Sequence, residues 1–237
     1  MGKYQCIECG AEVESLFHDY NTDVIKIHHC DACHSVADKY IEYEPVIIIL
    51  DALLLQPQAY RHLLINTSFN SHWRLALILW ICDAFTKLIL ERSEITGQQF
   101  TTNFEYINYA FLGMELYSNY IIAAVELFVL IGAVLVIYGT RDLFQNKTIK
   151  PFSTSLLMKA VICASFGRVL AIPALLWGDV YRHLYMILCQ VFVFLSTMQA
   201  LKAVDPGPHK TFFALLAVSL GFSVQLSASS YLYLWLK

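Results

Sequence analysis

The chain has 237 residues, 57% of them hydrophobic, and a formal net charge of −3 at pH 7. Its mean hydropathy of +0.53 is high for a soluble domain, and because most apolar residues follow residue 45, the composition indicates a polytopic membrane protein. The chain has no excess of basic residues that could form a phosphate-binding surface, so we expect no nucleic acid partner.

Two C-x-x-C pairs begin the chain, Cys6 with Cys9 and Cys30 with Cys33, separated by twenty residues. Such a turn directs two thiolates at one ion, and a second turn completes the tetrahedral set that structural Zn²⁺ prefers. The segments around the pairs alternate polar and apolar residues, as short strands do. Residues 1–45 are therefore predicted to form a cytosolic zinc-ribbon domain.

Three other interpretations of these cysteines can be stated. A thioredoxin-like redox pair normally lies in a βαβ unit, which this segment lacks, and a disulfide framework is expected after a signal peptide, which we do not find. Cys₃His zinc sites also exist, so one histidine near the second pair can replace a cysteine. The candidates are His28, His29 and His34.

The next segment, residues 46–66, is apolar at first but is interrupted by Pro57. Its first apolar run is about ten residues long, whereas a membrane span requires roughly 20. The second half mixes basic and aromatic residues with leucines, which is typical of helices in the membrane interface. The alternative is a buried segment that completes the zinc domain.

Residues 67–237 are predicted to form an all-α membrane domain with about five transmembrane helices. The predicted spans are 73–90, 119–138, 153–176, 180–204 and 211–236. The first is the least regular, because it contains Asp83 and Lys87. These two residues are four apart on one helix face, where they can pair and lower the cost of insertion.

Basic residues predict the orientation of the spans. Loop 139–152 carries Arg141, Lys147 and Lys150, whereas loop 91–118 carries only Arg92. Excess positive charge marks the cytosolic side, so the amino terminus is expected in the cytosol. Thiols stay reduced there, which favours zinc over disulfides. Both N-x-[ST] sequons, 66–68 and 146–148, fall on that side, and the remaining cysteines are interpreted as packing residues: Cys82, Cys163 and Cys189.

Two charged residues lie within later spans. Glu126 and Arg168 fall at about the same depth of antiparallel helices, so they are predicted to form an ion pair, or alternatively to line a polar pathway for lipid. The last span carries a tract of small and polar residues, interpreted as a helix-packing face rather than a headgroup site. These are Ser223, Gln225, Ser227, Ser229 and Ser230.

The two cysteine pairs together with residues 50–66 (LDALLLQPQAYRHLLIN) resemble the Arv family. The resemblance implies a multi-pass protein of the endoplasmic reticulum membrane that acts in sterol and sphingolipid homeostasis and is linked to early glycosylphosphatidylinositol (GPI) anchor synthesis. It supplies no catalytic residue. It carries over the four cysteines and the segment Tyr60, Arg61 and His62, whose role it leaves open.

No nucleophile, base and orienting partner occur in a recognisable arrangement, so we do not expect an enzyme. Two functions remain. The protein distributes sterols or other membrane lipids, or it is an accessory subunit of a glycosyltransferase complex of GPI synthesis. The first predicts an internal cavity or groove, and the second predicts a face covered by partner chains.

Overall fold

The structure is a computed structural model that describes residues 4–19, 25–67, 72–98, 109–144, 153–177, 182–205, 207 and 209–236. Its amino-terminal part contains two short antiparallel hairpins. Strand β1 (Tyr4–Gln5) pairs with β2 (Glu12–Val13), and β3 (Phe17–Asp19) pairs with β4 (Ile25–Ile27). The strands predicted between the two cysteine pairs are therefore present, but the alternating segment after the second pair, also predicted as a strand, forms a 3₁₀ turn at Lys39–Ile41.

Each cysteine pair lies in a tight turn with the same backbone hydrogen bonds. Gly10 N–H donates to the carbonyl of Cys6, and His34 N–H donates to the carbonyl of Cys30. Both donors have left-handed backbone conformations, with φ of 82° at Gly10 and 58° at His34. Glycine adopts this conformation without steric cost, which explains the residue after Cys9.

Two short helices follow. Helix α1 (Pro45–Leu53) and helix α2 (Pro57–Arg61) each begin with proline, which is well suited to the first helical turn. A single π-helical turn, His62–Asn66, continues α2. Helix α1 buries Ile48 and Ala52 against the amino-terminal module. Its other face is apolar and exposed, and carries Val46, Ile47, Ile49, Leu50 and Leu54.

The remaining helices form a bundle. They are α3 (His72–Gln98), α4 (Tyr109–Phe144), α5 (Thr154–Ala164), α6 (Ala171–Trp177), α7 (Arg182–Val204) and α8 (Lys210–Leu236). A 3₁₀ segment, Ser165–Leu170, joins α5 to α6. The ring of Phe192 on α7 packs so closely on Gly167 that a side chain there would clash with it.

Within the described residues, four stretches are long and apolar enough to cross a membrane. These are Gly113–Arg141, Thr154–Leu175, Leu184–Val204 and Lys210–Leu236. They match the second to fifth predicted spans, so four of the five predicted spans are supported. Helix α3 is long enough but is not among them, because Arg74, Asp83, Lys87 and Glu91 interrupt its apolar sequence.

The core of the bundle contains side chains from α3, α4, α5, α7 and α8, including Leu79, Leu130 and Leu201. Tyr60 and Leu64 belong to the same core, although they lie in the segment between the cysteine module and the bundle. Residues 57–66 are thus packed between the module and the helices.

Candidate functional site

The four amino-terminal cysteines converge on one point. The Sγ atoms of Cys6 and Cys33 are 3.7 Å apart, those of Cys9 and Cys30 are 3.6 Å apart, and all four lie within 4.8 Å of one another. Four sulfurs at about 2.3 Å from a tetrahedral ion are separated by about 3.8 Å, whereas a disulfide requires about 2.05 Å. The spacing therefore fits a metal ion, and the cysteines are free thiols.

The surroundings of the thiols differ. Burial raises the pKa of Cys6 to about 12, while the backbone N–H of Ser35 lowers the pKa of Cys33 to about 7. The N–H of Ala11 also donates to Cys9 Sγ at 3.5 Å. A bound cation would hold all four sulfurs as thiolates by offsetting their mutual repulsion, and binding would release protons.

The three candidate histidines do not join this cluster. In the described part of the chain, the His, Cys and carboxylate groups close enough to share an ion here are the four cysteines alone. His29 and His34 are exposed, and His28 packs its ring against His18. The geometry thus fits a Cys₄ set better than a Cys₃His set.

Three consecutive residues connect the cysteine module to the helix bundle. The Tyr60 hydroxyl lies 2.7 Å from Ser196 Oγ on α7 and 3.0 Å from the carbonyl of Ala52, and Tyr60 is only 1% exposed. Ser196 in turn donates to the carbonyl of Ala164 at 2.9 Å. Tyr60 therefore reaches the interior of the bundle.

Arg61 turns in the opposite direction. Its Nη1 donates to the carbonyls of Ile7 and Glu8, at 2.6 and 2.7 Å. Both carbonyls lie between Cys6 and Cys9, so Arg61 holds the first cysteine turn directly. This is a structural role for a residue that the sequence singled out without assigning one.

His62 and Asn66 bind a fully buried carboxylate. Asp38 Oδ2 accepts from His62 Nδ1 and from Asn66 Nδ2, both at 2.7 Å, and Asp38 Oδ1 accepts from Tyr40 N–H. Asn66 also exchanges two hydrogen bonds with the backbone of Gln5, each at 2.9 Å. The π-helical turn is thereby fastened to the cysteine module.

The charged residues of the predicted spans meet in one cluster. Lys87 Nζ lies 2.7 Å from Asp83 Oδ2, as expected from their spacing, and 2.8 Å from Glu126 Oε2. Arg168 Nη1 lies 3.3 Å from Asp83 Oδ2. Glu126 and Arg168 therefore belong to one network but contact different partners, which corrects the predicted direct pair. The flexible Lys87 stem accounts for this, because it reaches both carboxylates.

This cluster forms one wall of a cavity of about 280 Å³. Most of the other lining side chains are apolar, including Leu90, Val193 and Phe222. Leu226 and Gln190 line it too and are exposed, so the cavity opens on the outside of the helices. It combines a polar end with an apolar wall, as binding sites for amphipathic ligands do.

The serine tract of α8 divides between two faces. Ser229 and Gln225 line the cavity, whereas Ser223, Ser227 and Ser230 are exposed. The hydroxyls of these three exposed serines donate to carbonyls of their own helix. Part of the tract thus belongs to the polar cavity, and part is available for contact with another helix.

Sequence reasoning missed a second buried ion pair. Arg141 Nη1 donates to Asp205 Oδ2 at 2.5 Å, and Asp205 Oδ1 accepts from Gly207 N–H at 2.7 Å. The Arg141 guanidinium also lies over the ring of Phe213. Arg141 appeared in the sequence as one of several loop charges, and no local pattern linked it to an aspartate 64 residues away.

Apolar helices long enough to cross a bilayer, together with a four-cysteine module on the same chain, define a multi-pass membrane protein with an amino-terminal module able to hold a metal ion. The chain belongs to the Arv1-like family, whose model matches residues 5–201. That range includes the cysteine module, the connecting segment and most of the helices.

Individual relatives agree with this assignment. The chain is 37% identical over 201 residues to Protein ARV1 of Homo sapiens, which covers 84% of this chain and 72% of the human protein. It is 27% identical over 240 residues to Protein arv1 homolog of Dictyostelium discoideum, covering 97% and 95% of the two chains. Protein ARV1 of Candida albicans is 52% identical over only 62 residues, 26% of this chain and 21% of that protein. No solved structure gives a significant match.

Proposed function

We propose that this protein is a non-catalytic membrane protein of the endoplasmic reticulum that acts in lipid homeostasis by binding and distributing sterols. The observation that carries the proposal is the cavity beside Lys87 and Glu126, which opens laterally and pairs a polar end with an apolar wall. A sterol also has a polar end and an apolar part, since it carries one hydroxyl on an apolar ring system. At about 280 Å³, the cavity is slightly smaller than the roughly 300–1,000 Å³ usual for ligand sites, so it would hold the polar end of the lipid.

The cysteine module has a structural part in this proposal. Cys6, Cys9, Cys30 and Cys33 would hold one Zn²⁺, and four sulfur ligands leave no open position for a substrate. A module of this size has little apolar core, so the metal would supply much of its folding free energy. The module would then position α2 against α7 through Arg61 and Tyr60.

Two neighbouring serines provide a test of the proposal. Ser229 lines the cavity, whereas Ser230 is exposed on the same helix. Phenylalanine at 229 would fill the cavity, and phenylalanine at 230 would face outward. We expect sterol bound to the purified protein, measured by mass spectrometry, to fall in Ser229→Phe and to be unchanged in Ser230→Phe. Equal sterol content in both variants would contradict the proposal.

The accessory-subunit function is the alternative, and one observation favours it. Ser223, Ser227 and Ser230 form an exposed stripe of small residues on α8, and such stripes let another membrane helix approach closely. In this case leucine at Ser227 would separate the protein from a GPI-synthesising transferase complex. The measurement is stoichiometric co-purification of transferase subunits with the parent and the Ser227→Leu variant.

A further inference from the structure

The side-chain amide of Gln225 has a fixed orientation in the cavity wall. Its Nε2 donates to Glu126 Oε2 at 3.1 Å. A carboxylate only accepts hydrogen bonds, so the amide nitrogen must face Glu126 and the carbonyl oxygen must face away. This Oε1 atom is buried and has no hydrogen-bond partner among the described residues. Gln225 lines the cavity, so its side chain brings a buried acceptor that lacks a donor to the cavity wall.

The charges beside this acceptor sum to zero. Two carboxylates, Asp83 and Glu126, face two cations, Lys87 and Arg168, and each carboxylate already contacts a cation. An anionic or cationic headgroup would have to lose its hydration without gaining a free partner of opposite charge. A neutral donor can bind Gln225 Oε1 without disturbing these pairs.

We propose that Gln225 Oε1 accepts a hydrogen bond from the hydroxyl group of an uncharged membrane lipid whose apolar body lies along Phe222 and Leu226. This inference rests on the proposed lipid-binding function and adds the chemical class of the headgroup. Sterols, ceramides and diacylglycerols share the required chemistry, since each has a free hydroxyl and no charge. A phospholipid does not match this site, because both cations among the described lining residues, Lys87 and Arg168, already contact carboxylates.

Ligand chemistry gives the first experiment. The full chain in detergent micelles is titrated with a fluorescent 3-hydroxysterol. The probe is then displaced by cholesterol, by its 3-keto analogue, by a ceramide, by a diacylglycerol or by an anionic phospholipid. The ketone keeps the ring system but cannot donate. We expect it to bind about 3- to 10-fold more weakly than cholesterol, the effect of one buried neutral hydrogen bond. The relative potencies of the three hydroxyl lipids identify which of them the cavity prefers.

A matched pair of variants gives the second experiment. Gln199 on α7 also has a buried Oε1 without a partner among the described residues, but it does not line the cavity. Gln225→Leu and Gln199→Leu thus remove the same group at two places. We expect the preference for cholesterol over the ketone to disappear in Gln225→Leu and to persist in Gln199→Leu. Because this preference is a ratio, a general loss of stability does not alter it.

The outcomes separate the two proposals. Equal binding of cholesterol and ketone to the parent protein would overturn the hydroxyl inference while leaving sterol binding intact. The hydroxyl inference also fails if both glutamine variants keep the preference, or if an anionic phospholipid displaces the probe better than cholesterol. Failure of the folded parent protein to bind the probe at all would overturn the proposed sterol function itself.

Discussion

Three adjacent side chains, those of Tyr60, Arg61 and His62, contact three different parts of the protein. Successive residues of a helix point about 100° apart, so neighbours in sequence diverge in space. Tyr60 enters the bundle, Arg61 binds the first cysteine turn, and His62 binds Asp38. These contacts hold the cysteine module in a fixed position relative to α7.

Replacing Arg61 should loosen the first cysteine turn. Lysine keeps the charge but has a single ammonium on a different stem, so we expect Arg61→Lys to lose one of the two carbonyl contacts, at a cost of about 1–2 kcal/mol. Release of zinc to a colorimetric chelator should become faster. Arg74→Lys is the control, because Arg74 is exposed on α3. Unchanged release from Arg61→Lys would contradict this role.

The cysteine cluster predicts one zinc ion per chain. Elemental analysis of protein purified without chelators should find it in the parent and in Cys82→Ser, but not in Cys33→Ser. Zinc affinity should fall as the pH is lowered, because protons compete for the thiolates, including Cys33, whose pKa is lowered to about 7 by the Ser35 N–H. A parent protein that contains no zinc would disprove the metal assignment.

At the scale of the helices, ion pairs connect α3 to its neighbours. Lys87 joins α3 to α4 through Glu126, and Asp83 joins α3 to Arg168 in the 3₁₀ segment. Charges inside a membrane domain are costly unless they are paired. Asp83 and Lys87 thus have two effects. They interrupt the apolar sequence of α3, and they bind α3 to the rest of the bundle.

Double-mutant cycles on stability in detergent can test this connectivity. We expect Lys87→Met and Glu126→Gln to couple by about 0.5–3 kcal/mol, since Lys87→Met removes the cation that Glu126 contacts and Glu126→Gln removes one of the two carboxylates that Lys87 contacts. Glu126→Gln and Arg168→Met should couple less, because those residues contact different partners. A larger coupling energy for the second pair would indicate that Glu126 and Arg168 contact each other directly, as the sequence predicted.

The connection between α7 and α8 depends on a glycine. A side chain at Gly207 would clash with the Arg141 guanidinium, which is held by Asp205. Gly207→Ala should therefore destabilise the protein by about 1–3 kcal/mol, as overpacking does. Gly139→Ala is the matched control, because apart from its chain neighbours and the backbone of its own helix no atom lies within 4 Å of the added carbon. Equal melting temperatures for the two variants would refute the prediction.

At the scale of the whole molecule, the basic residues predict a cytosolic amino terminus. A sequon introduced near Asn103, which lies outside the described residues, should be glycosylated if the connection between α3 and α4 is lumenal. The sequon at Asn146 is also outside the described residues and should stay unmodified. Mobility after endoglycosidase treatment is the measurement. A glycan at Asn146 would invert the topology and place the thiols in an oxidising compartment.

The sequon at Asn66 is less informative about topology. Both hydrogens of Asn66 Nδ2 are used, in bonds to Gln5 O and Asp38 Oδ2. Glycosylation would need this nitrogen, so the folded protein should leave it unmodified on either side of the membrane. The Asn103 and Asn146 positions therefore decide the orientation.

The sequence by itself determined the cysteine cluster, the short strands and four of the apolar helices. These features follow from local patterns: C-x-x-C spacing directs two sulfurs at one point, and apolar length alone qualifies a helix to cross a bilayer. The spacing of Asp83 and Lys87 likewise predicted their contact, because residues four apart share a helix face.

Only the tertiary structure decided which partners the remaining charges take. Arg141 and Asp205 are 64 residues apart, and Tyr60 and Ser196 are 136 apart, so no local periodicity links them. Matched depth placed Glu126 and Arg168 in one layer, but depth does not fix rotation about a helix axis. Side-chain packing sets that rotation. It places Glu126 beside Lys87 and Gln225, and it leaves the buried Gln225 Oε1 without a donor at the cavity wall.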